Sequence, residues 1–563
     1  MKKIIFTLLS LALFTANMSA QWETDYALNN SITPGGFPMW DYAIKQGNQC
    51  TYIAYNSPVL GIENVGYYLQ ILDANGVKKF SDPGLLISAE ASMTYTVVSE
   101  ILFADNAGNA IIAVPDLRKG GGVNTYTLYK VSPEGTMLWG DNGVDLSGVS
   151  DYGVACMQMT ELANGNLVFA WEKVSSASVH MRLVSPDGEL LGSEFVKDEK
   201  MCGYPYIVPS GDGVILLYSE RNGTGSPWSR YSSLKAQKFN SNFEPQWASA
   251  LTIYSQGYTI PALYGVFDVV SDGNDGVLVA WYDSHVNAQR EYAYVAHILS
   301  DGTSAFAGSA FGQRVGNHST YKSFRPTIVA DVQNSAFHVI WEESNDNQSY
   351  TRMMVQKYLY DGTEVWAAGG QQIDDSNGAA TVGYQSAQNG PEGKVAFFYQ
   401  KLMAPNSTTF NYAVLLDADG NYVWTDEKVN FTTSEYYRAD LLSTPLINNE
   451  YWLTIWRDAR NDDDLNDNPL FLQKINVEQI PDGAKTVFDL DKDKVAVYPN
   501  PGEDFIYFSK RVTSAEIYNV DGRLLQTEII RDNSLNISSL KQGIYLISMQ
   551  TENGKVEEKF VKK

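Results

Sequence analysis

An acidic residue or asparagine stands directly before glycine at Asn75-Gly76, Glu134-Gly135, Asp187-Gly188, Asp301-Gly302, Asp361-Gly362 and Asp419-Gly420. Gly76 and Gly420 lie 344 residues apart, and the gap after Gly188 is two repeats wide, so the six intervals average about 57 residues. A repeat of that length confines the chain to folds made by setting one small unit beside the next. These dipeptides are hairpin turns, because their residues accept the positive φ that a tight turn needs. Four residues after the glycine comes an aromatic at Phe80, Trp139, Phe306, Trp366 and Trp424, predicted to open the following strand. Upstream of each turn an apolar strand ends in an aromatic: Tyr55, Trp171, Tyr218, Trp281, Trp341, Tyr399 and Trp456. From Tyr55, Trp281, Trp341 and Tyr399 the turn glycine is 21 residues away. The second repeat has the strand (110–114) without the aromatic, and the third is four residues shorter between these marks.

Each apolar strand is preceded by another turn, such as Asn164-Gly165-Asn166, and a further short strand, such as residues 326–331. One repeat therefore holds four short strands and no helical period, which is one propeller blade. Eight middle strands are present, the last at 450–456 and followed by 470–476, and the eighth repeat lacks an outer strand. Gln21-Trp22-Glu23-Thr24-Asp25 is similar to the outer-strand sequence Val423-Trp424-Thr425-Asp426-Glu427, so Trp22 to Asn29 are expected to complete the last blade. The fold expected for residues 21–480 is all-β, an eight-bladed β-propeller, with seven blades as the alternative.

Lys2 and Lys3, the apolar run Ile4–Phe14 and the small residues up to Ala20 form the pattern of a cleaved signal peptide, residues 1–20. The run is too short to cross a bilayer, and no later stretch is longer, so no transmembrane segment is expected. Removing the two lysines takes the net charge from −24 to −26. That charge argues against nucleic acid and anionic lipid as partners, since both are held mainly by Lys and Arg. Three cysteines, Cys50, Cys156 and Cys202, are read as small buried side chains, with a Cys156–Cys202 bridge as the alternative.

After a charged stretch, residues 481–494, that reads as a linker come Val497-Tyr498-Pro499-Asn500-Pro501, then Ile517 to Gly522-Arg523, Leu535 to Leu540, Gly543-Ile544-Tyr545-Leu546-Ile547, and the basic end Lys559 to Lys563. In this order the segments resemble the type A sorting domain of the type IX secretion system, over residues 495–563. Tyr498, Pro499, Asn500, Pro501, Gly522, Arg523, Gly543 and Tyr545 carry the motif. Their alternating strands suit a small immunoglobulin-like β-sandwich. The segment holds nine Lys/Arg against nine Asp/Glu, so the negative charge lies in the body and linker. The resemblance implies docking on the type IX secretion machinery. It also implies frequent removal of the domain, with the cargo joined to surface lipopolysaccharide, and so a secreted, extracellular or outer-membrane-surface location. The propeller-type repeats resemble those of other secreted proteins of bacteria that use this route.

Acids follow the strand aromatics at Glu172, Glu220, Asp283, Glu343 and Asp458; recurring at one place in the repeat, they read as architecture before they read as a ligand ring. The spacing of sialidase Asp boxes fails at Ser132–Trp139 and Asp417–Trp424, and Phe324-Arg325-Pro326 reads as a strand opening. Asp462 to Asp467 lacks the glycine and terminal glutamate of a calcium loop and reads as a solvated acidic loop. His180, His285, His297, His318 and His338 show no metal-ligand spacing, and no nucleophile elbow or phosphate loop is present. No cofactor, metal or catalytic residue is expected. The function expected is a non-catalytic binding module for an extracellular glycan, peptide or protein ligand, with a polysaccharide-degrading hydrolase or lyase as the alternative.

Overall fold

The computed structural model describes residues 22–478 apart from 24–25, 34–41, 59–64, 92–99, 120–124, 147–152, 221–230, 261–266, 288–289, 307–311, 378, 404–407 and 461–468. It also describes residues 495–563 apart from 496, 499–501, 503, 509–510, 520–522, 531–533 and 552–553. The signal peptide and linker expected at 1–20 and 481–494, and the Asp462–Asp467 loop, lie outside the described residues. The chain divides into two units, Met1–Glu478 and Gln479–Lys563.

Among the described residues of the first unit, strands fall in chain order into groups of four, each an antiparallel meander. Six groups are separate four-stranded sheets. The strands of 42–91 and those of 102–145 form one eight-stranded sheet, joined where Ala91 pairs with Asp116. The fold is all-β and propeller-like. The second strand of each group carries an apolar run because both of its faces are covered there, with polar residues towards its end. In Val277–Asn287, Val277, Val279 and Trp281 face the group before, whereas Leu278, Ala280 and Tyr282 face the group after. Consecutive groups share a hydrophobic core in this way, and the last shares one with the first, where Ile447, Leu453 and Leu472 meet Ile44, Ile53 and Tyr68.

The aromatic after each turn glycine does not open a strand. It sits in the connection before the fourth strand and lies on the turn glycine of the next group. Trp139 covers Gly188, Trp247 covers Gly302 and Trp366 covers Gly420, and each indole N–H donates to a carbonyl of that neighbouring turn, Pro186, Ser300 and Ala418, at 3.0–3.1 Å. Phe80 and Phe306 cover Gly135 and Gly362. The turn residue must be glycine: Gly188 has φ 89°, and a Cβ there would lie 2.9 Å from the Trp139 ring. A glutamine on the third strand clasps several of these aromatics: Gln70 bonds the backbone of Phe80, Gln237 that of Trp247, and Gln356 that of Trp366. One junction, between the strands of 154–197 and those of 202–260, lacks the latch.

The chain's beginning completes the last group, but not with the residues expected. Trp22 is a latch rather than a strand residue: it covers Gly76 and donates to the Ala74 carbonyl at 3.0 Å, as Trp424 donates to Val477 at 2.7 Å. The closing strand is Asn30–Ser31, paired with Leu472 and Phe471 of Leu470–Asn476. Wherever a latch is present it precedes the outer strand, so the likeness of Trp22 to Trp424 placed the latch and not the strand. Cys50, Cys156 and Cys202 are buried free thiols.

The second unit holds two antiparallel sheets. Val497–Tyr498, Phe505–Phe508 and Ser534–Asn536 form one; Leu524–Ile529, Ser514–Asn519, Gly543–Thr551 and Gly554–Lys562 form the other, in that order. Their facing side chains, among them Ile506, Phe508, Ile517, Ile547 and Phe560, share a single core.

Candidate functional site

Antiparallel connectivity gives each four-stranded group two ends. One carries the turns from first to second and third to fourth strand, where the latches sit. The other carries the turns from second to third strand and the passage to the next group, and the acids nominated from sequence lie there. All five are buried. Asp283, Glu343 and Asp458 each stand two residues after a tryptophan, so they share its face of the strand. Each accepts that indole's N–H: Trp281 to Asp283 at 2.8 Å, Trp341 to Glu343 at 3.0 Å, Trp456 to Asp458 at 3.0 Å. Arg438 and Arg460 flank Asp458 at 2.8 and 2.7 Å. Burial pushes the Asp458 pKa up, but the Arg460 hydrogen bond, the Arg438 and Arg460 charges and the indole outweigh it and hold the group below the usual carboxylate range. Glu220 pairs with Lys200 at 2.9 Å, and Glu172 accepts the Tyr204 N–H of the next group at 3.1 Å. These carboxylates are bound into the fold rather than presented together in a cleft.

Around Glu343 the same end carries a polar and aromatic cluster not anticipated from the sequence. Arg352 reaches Glu343 Oε2 with two nitrogens, at 2.6 and 2.9 Å, and lies 4.1 Å from the Tyr321 ring centroid. His318 meets the other Glu343 oxygen at 3.1 Å and packs edge-on to Tyr321. The Tyr350 hydroxyl donates to Asp375 at 3.1 Å, and burial together with that carboxylate pushes the phenol pKa up. Arg314 lies 3.7 Å over Tyr292. Tyr321 and Tyr350 are half-buried. Tyr321 lies 20 residues before Trp341, as Tyr436 does before Trp456, an interval too sparse along the chain for pattern reading to pick out.

A serine–histidine–carboxylate chain does form: Ser178 Oγ to His180 Nε2 at 2.8 Å and His180 Nδ1 to Glu194 at 2.5 Å. Ser178 is 1% exposed, so no substrate carbonyl reaches its hydroxyl. Arg325 is likewise explained by architecture. It occupies a bulge of its inner strand at φ 45°, as Cys156, Tyr204 and Asp440 do in theirs at φ 55°, 51° and 58°. Among the described residues no group of three or more His, Cys, Asp or Glu side chains could hold a metal ion.

In the second unit Tyr498 pairs with Tyr507 through the backbone. Pro499, Asn500, Pro501 and Gly522 lie outside the described residues. Arg523 is exposed and exchanges hydrogen bonds with Asn519, its N–H donating to the Asn519 side chain at 2.8 Å. Gly543 pairs with Lys562, and Tyr545 is buried, stacks on Phe560 at 5.6 Å and donates to the Lys541 carbonyl at 2.7 Å. Residues 496–563 match the family described as secretion system C-terminal sorting domain. This segment is a type IX secretion sorting domain. The sorting domain engages the type IX secretion machinery and directs the chain to the cell surface or the extracellular space. No helix among the described residues is long and apolar enough to cross a membrane.

Among curated proteins, none matches the sequence. Solved structures similar to the chain include the β-propeller domain of the Trilobed protease from Pyrococcus furiosus, at 9% identity and TM-score 0.38, covering 71% of this chain and 97% of that one. The Dos1 propeller is similar at 9% identity and TM-score 0.40, covering 80% and 95%. The Hadza microbial sialidase Hz136 is similar at 8% identity and TM-score 0.30, covering 64% and 74%.

Proposed function

We propose that the body, residues 21–480, is an eight-bladed propeller that acts as a non-catalytic binding module at the cell surface or outside the cell. It follows a signal peptide at 1–20 and is joined through a linker at 481–494 to an immunoglobulin-like sorting sandwich at 495–563. Eight blades are supported by the groups of four strands and by the core that the last group shares with the first. The observation that carries the binding reading is the use of the acids at the repeated position: Asp283, Glu343 and Asp458 are each bonded to an indole, and the last two also to arginine. Glycoside hydrolysis needs two carboxyl groups facing one bond across an open site. The half-buried Tyr321 and Tyr350 beside Arg352 supply instead the flat apolar rings and fixed hydrogen-bond donors that a binding face uses.

The test is an array of glycans and peptides probed with the mature chain, with product release followed in parallel. Binding without turnover, lost in Tyr321→Ala or Arg352→Ala, is expected. Release of sugar or peptide products that Asp283→Asn or Glu343→Gln abolishes would establish a hydrolase instead.

A further inference from the structure

At the junction without a latch, aromatic and glycine exchange positions, and nothing lies within 4 Å of where a Gly192 Cβ would stand. In the other groups the turn glycine lies four residues after a third-strand residue, as Gly76 follows Leu72 and Gly420 follows Leu416. Phe239 and its bridge to Pro245 hold the same place in the strands of 202–260, and the residue four further on is Phe243. Phe243 closes the same turn, its N–H donating to the Asn240 carbonyl at 3.0 Å, and it does so at φ 59°. A bulky side chain in that left-handed region is an outlier that the surrounding structure must enforce. On the facing side, the position of the latch aromatic is Gly192, and the outer strand Leu190–Lys197 starts two residues after Gly188 with no connecting segment. The aromatic has moved from the clasping side to the turn.

A groove of about 560 Å³ opens between these two edges. That volume falls in the range of small-molecule sites. Phe243 and Phe195, with ring centroids 6.2 Å apart, contribute its apolar part together with Leu183 and Leu191. Asn166, Ser193 and Asn242 line it with side-chain amides and a hydroxyl that make no hydrogen bond within the described residues. Glu194 lines it too, with Oε1 fixed by His180 at 2.5 Å. The buried Ser178–His180 chain thus has a use, which is to hold this carboxylate still. No lysine or arginine is among the lining residues, so nothing there favours an anion. Open amides and a hydroxyl that donate and accept, one positioned carboxylate that accepts, and a ring set at the lip together suit a neutral, hydroxyl-rich ring compound.

We propose that this groove is a binding site for a neutral saccharide, with Phe243 as its stacking platform. The inference rests on the binding-protein reading and adds a second site, on the latch end of the body. The decisive variant is Phe243→Gly, which restores the residue that the other turns carry and relieves the left-handed phenylalanine. The change also removes a ring packed on the core, so melting is measured beside binding, and Asn166→Ala, which leaves that ring in place, is the second variant.

The full mature chain is screened against neutral oligosaccharides of glucan, mannan and xylan type, and affinity is measured by calorimetry. Phe243→Gly and Asn166→Ala are each expected to weaken binding at least tenfold, and Glu194→Gln several-fold. Unaltered affinity in Phe243→Gly, or no neutral oligosaccharide bound by wild type, overturns the groove. Binding lost only in Tyr321→Ala overturns the groove and leaves the binding-protein reading standing, whereas cleavage of the oligosaccharide overturns that reading.

Discussion

His338 is 0% exposed, neither ring nitrogen has a protein partner, and the Trp366 ring packs 5.4 Å away. Burial, and secondarily the Lys357 charge, pushes its pKa down to about 3. The unfolded value is about 6.5, so below it the unfolded chain takes up the proton first and stability falls with pH, by up to about 1.4 kcal/mol per unit, until the folded pKa is reached. His338→Leu is expected to flatten that slope and, by removing two orphaned polar atoms, to raise the melting temperature at pH 5. Urea unfolding at pH 7 and pH 5 checks this, and equal slopes in the two proteins would refute it. Asp458 acts in a lower window. Its folded pKa lies below the unfolded value of about 3.9, so its contribution is present above that pH and lost as pH falls through the folded value. Asp458→Asn leaves the fully buried Arg438 without its counter-charge and is expected to cost about 3–5 kcal/mol at neutral pH, measured by denaturant midpoint. The acids were visible in the sequence as a repeated position, and the indole partner two residues back follows from the strand period. Arg460, two residues after Asp458, was within sight of the sequence, but Arg438 was not, because it arrives from the neighbouring strand without fixed spacing.

The latch is the element that sets one group of strands against the next. Gly188→Ala puts a Cβ into the Trp139 ring at a positive φ, and a loss of about 1–3 kcal/mol is expected in chemical denaturation. Removing residues 22–33 deletes both the Trp22 latch and the closing strand, leaving Leu470–Asn476 with an open edge. Lower melting and self-association in sedimentation are expected; an unchanged monomer would mean that the edge is covered otherwise. The turn glycine and the aromatic four residues later were plain in the sequence. Their partnership was not, since Trp139 covers Gly188 across a whole repeat rather than its own turn glycine, and local periodicity says nothing about contacts of that span. The same gap hid the reversed junction: Gly192 reads as a missing aromatic, but nothing in Asn242-Phe243 announces that a phenylalanine takes a glycine's conformation.

At the scale of the molecule the sorting domain was the most legible part, because recognition by export machinery constrains residue identity where packing constrains only type. Deleting residues 496–563 is expected to abolish surface display and leave the body in the periplasm, which fractionation checks. The meeting of Asn29 and Gln473, 444 residues apart in the chain and 2.7 Å apart in the fold, has a consequence in time. Each meander can form from neighbours as soon as it is made, since its contacts are local, but the join between first and last waits for nearly the whole body. Its entropic cost grows only with the logarithm of the intervening length. The hairpins can therefore be in place while the two ends are still apart, and the pairing of first and last strands is the step that completes the body.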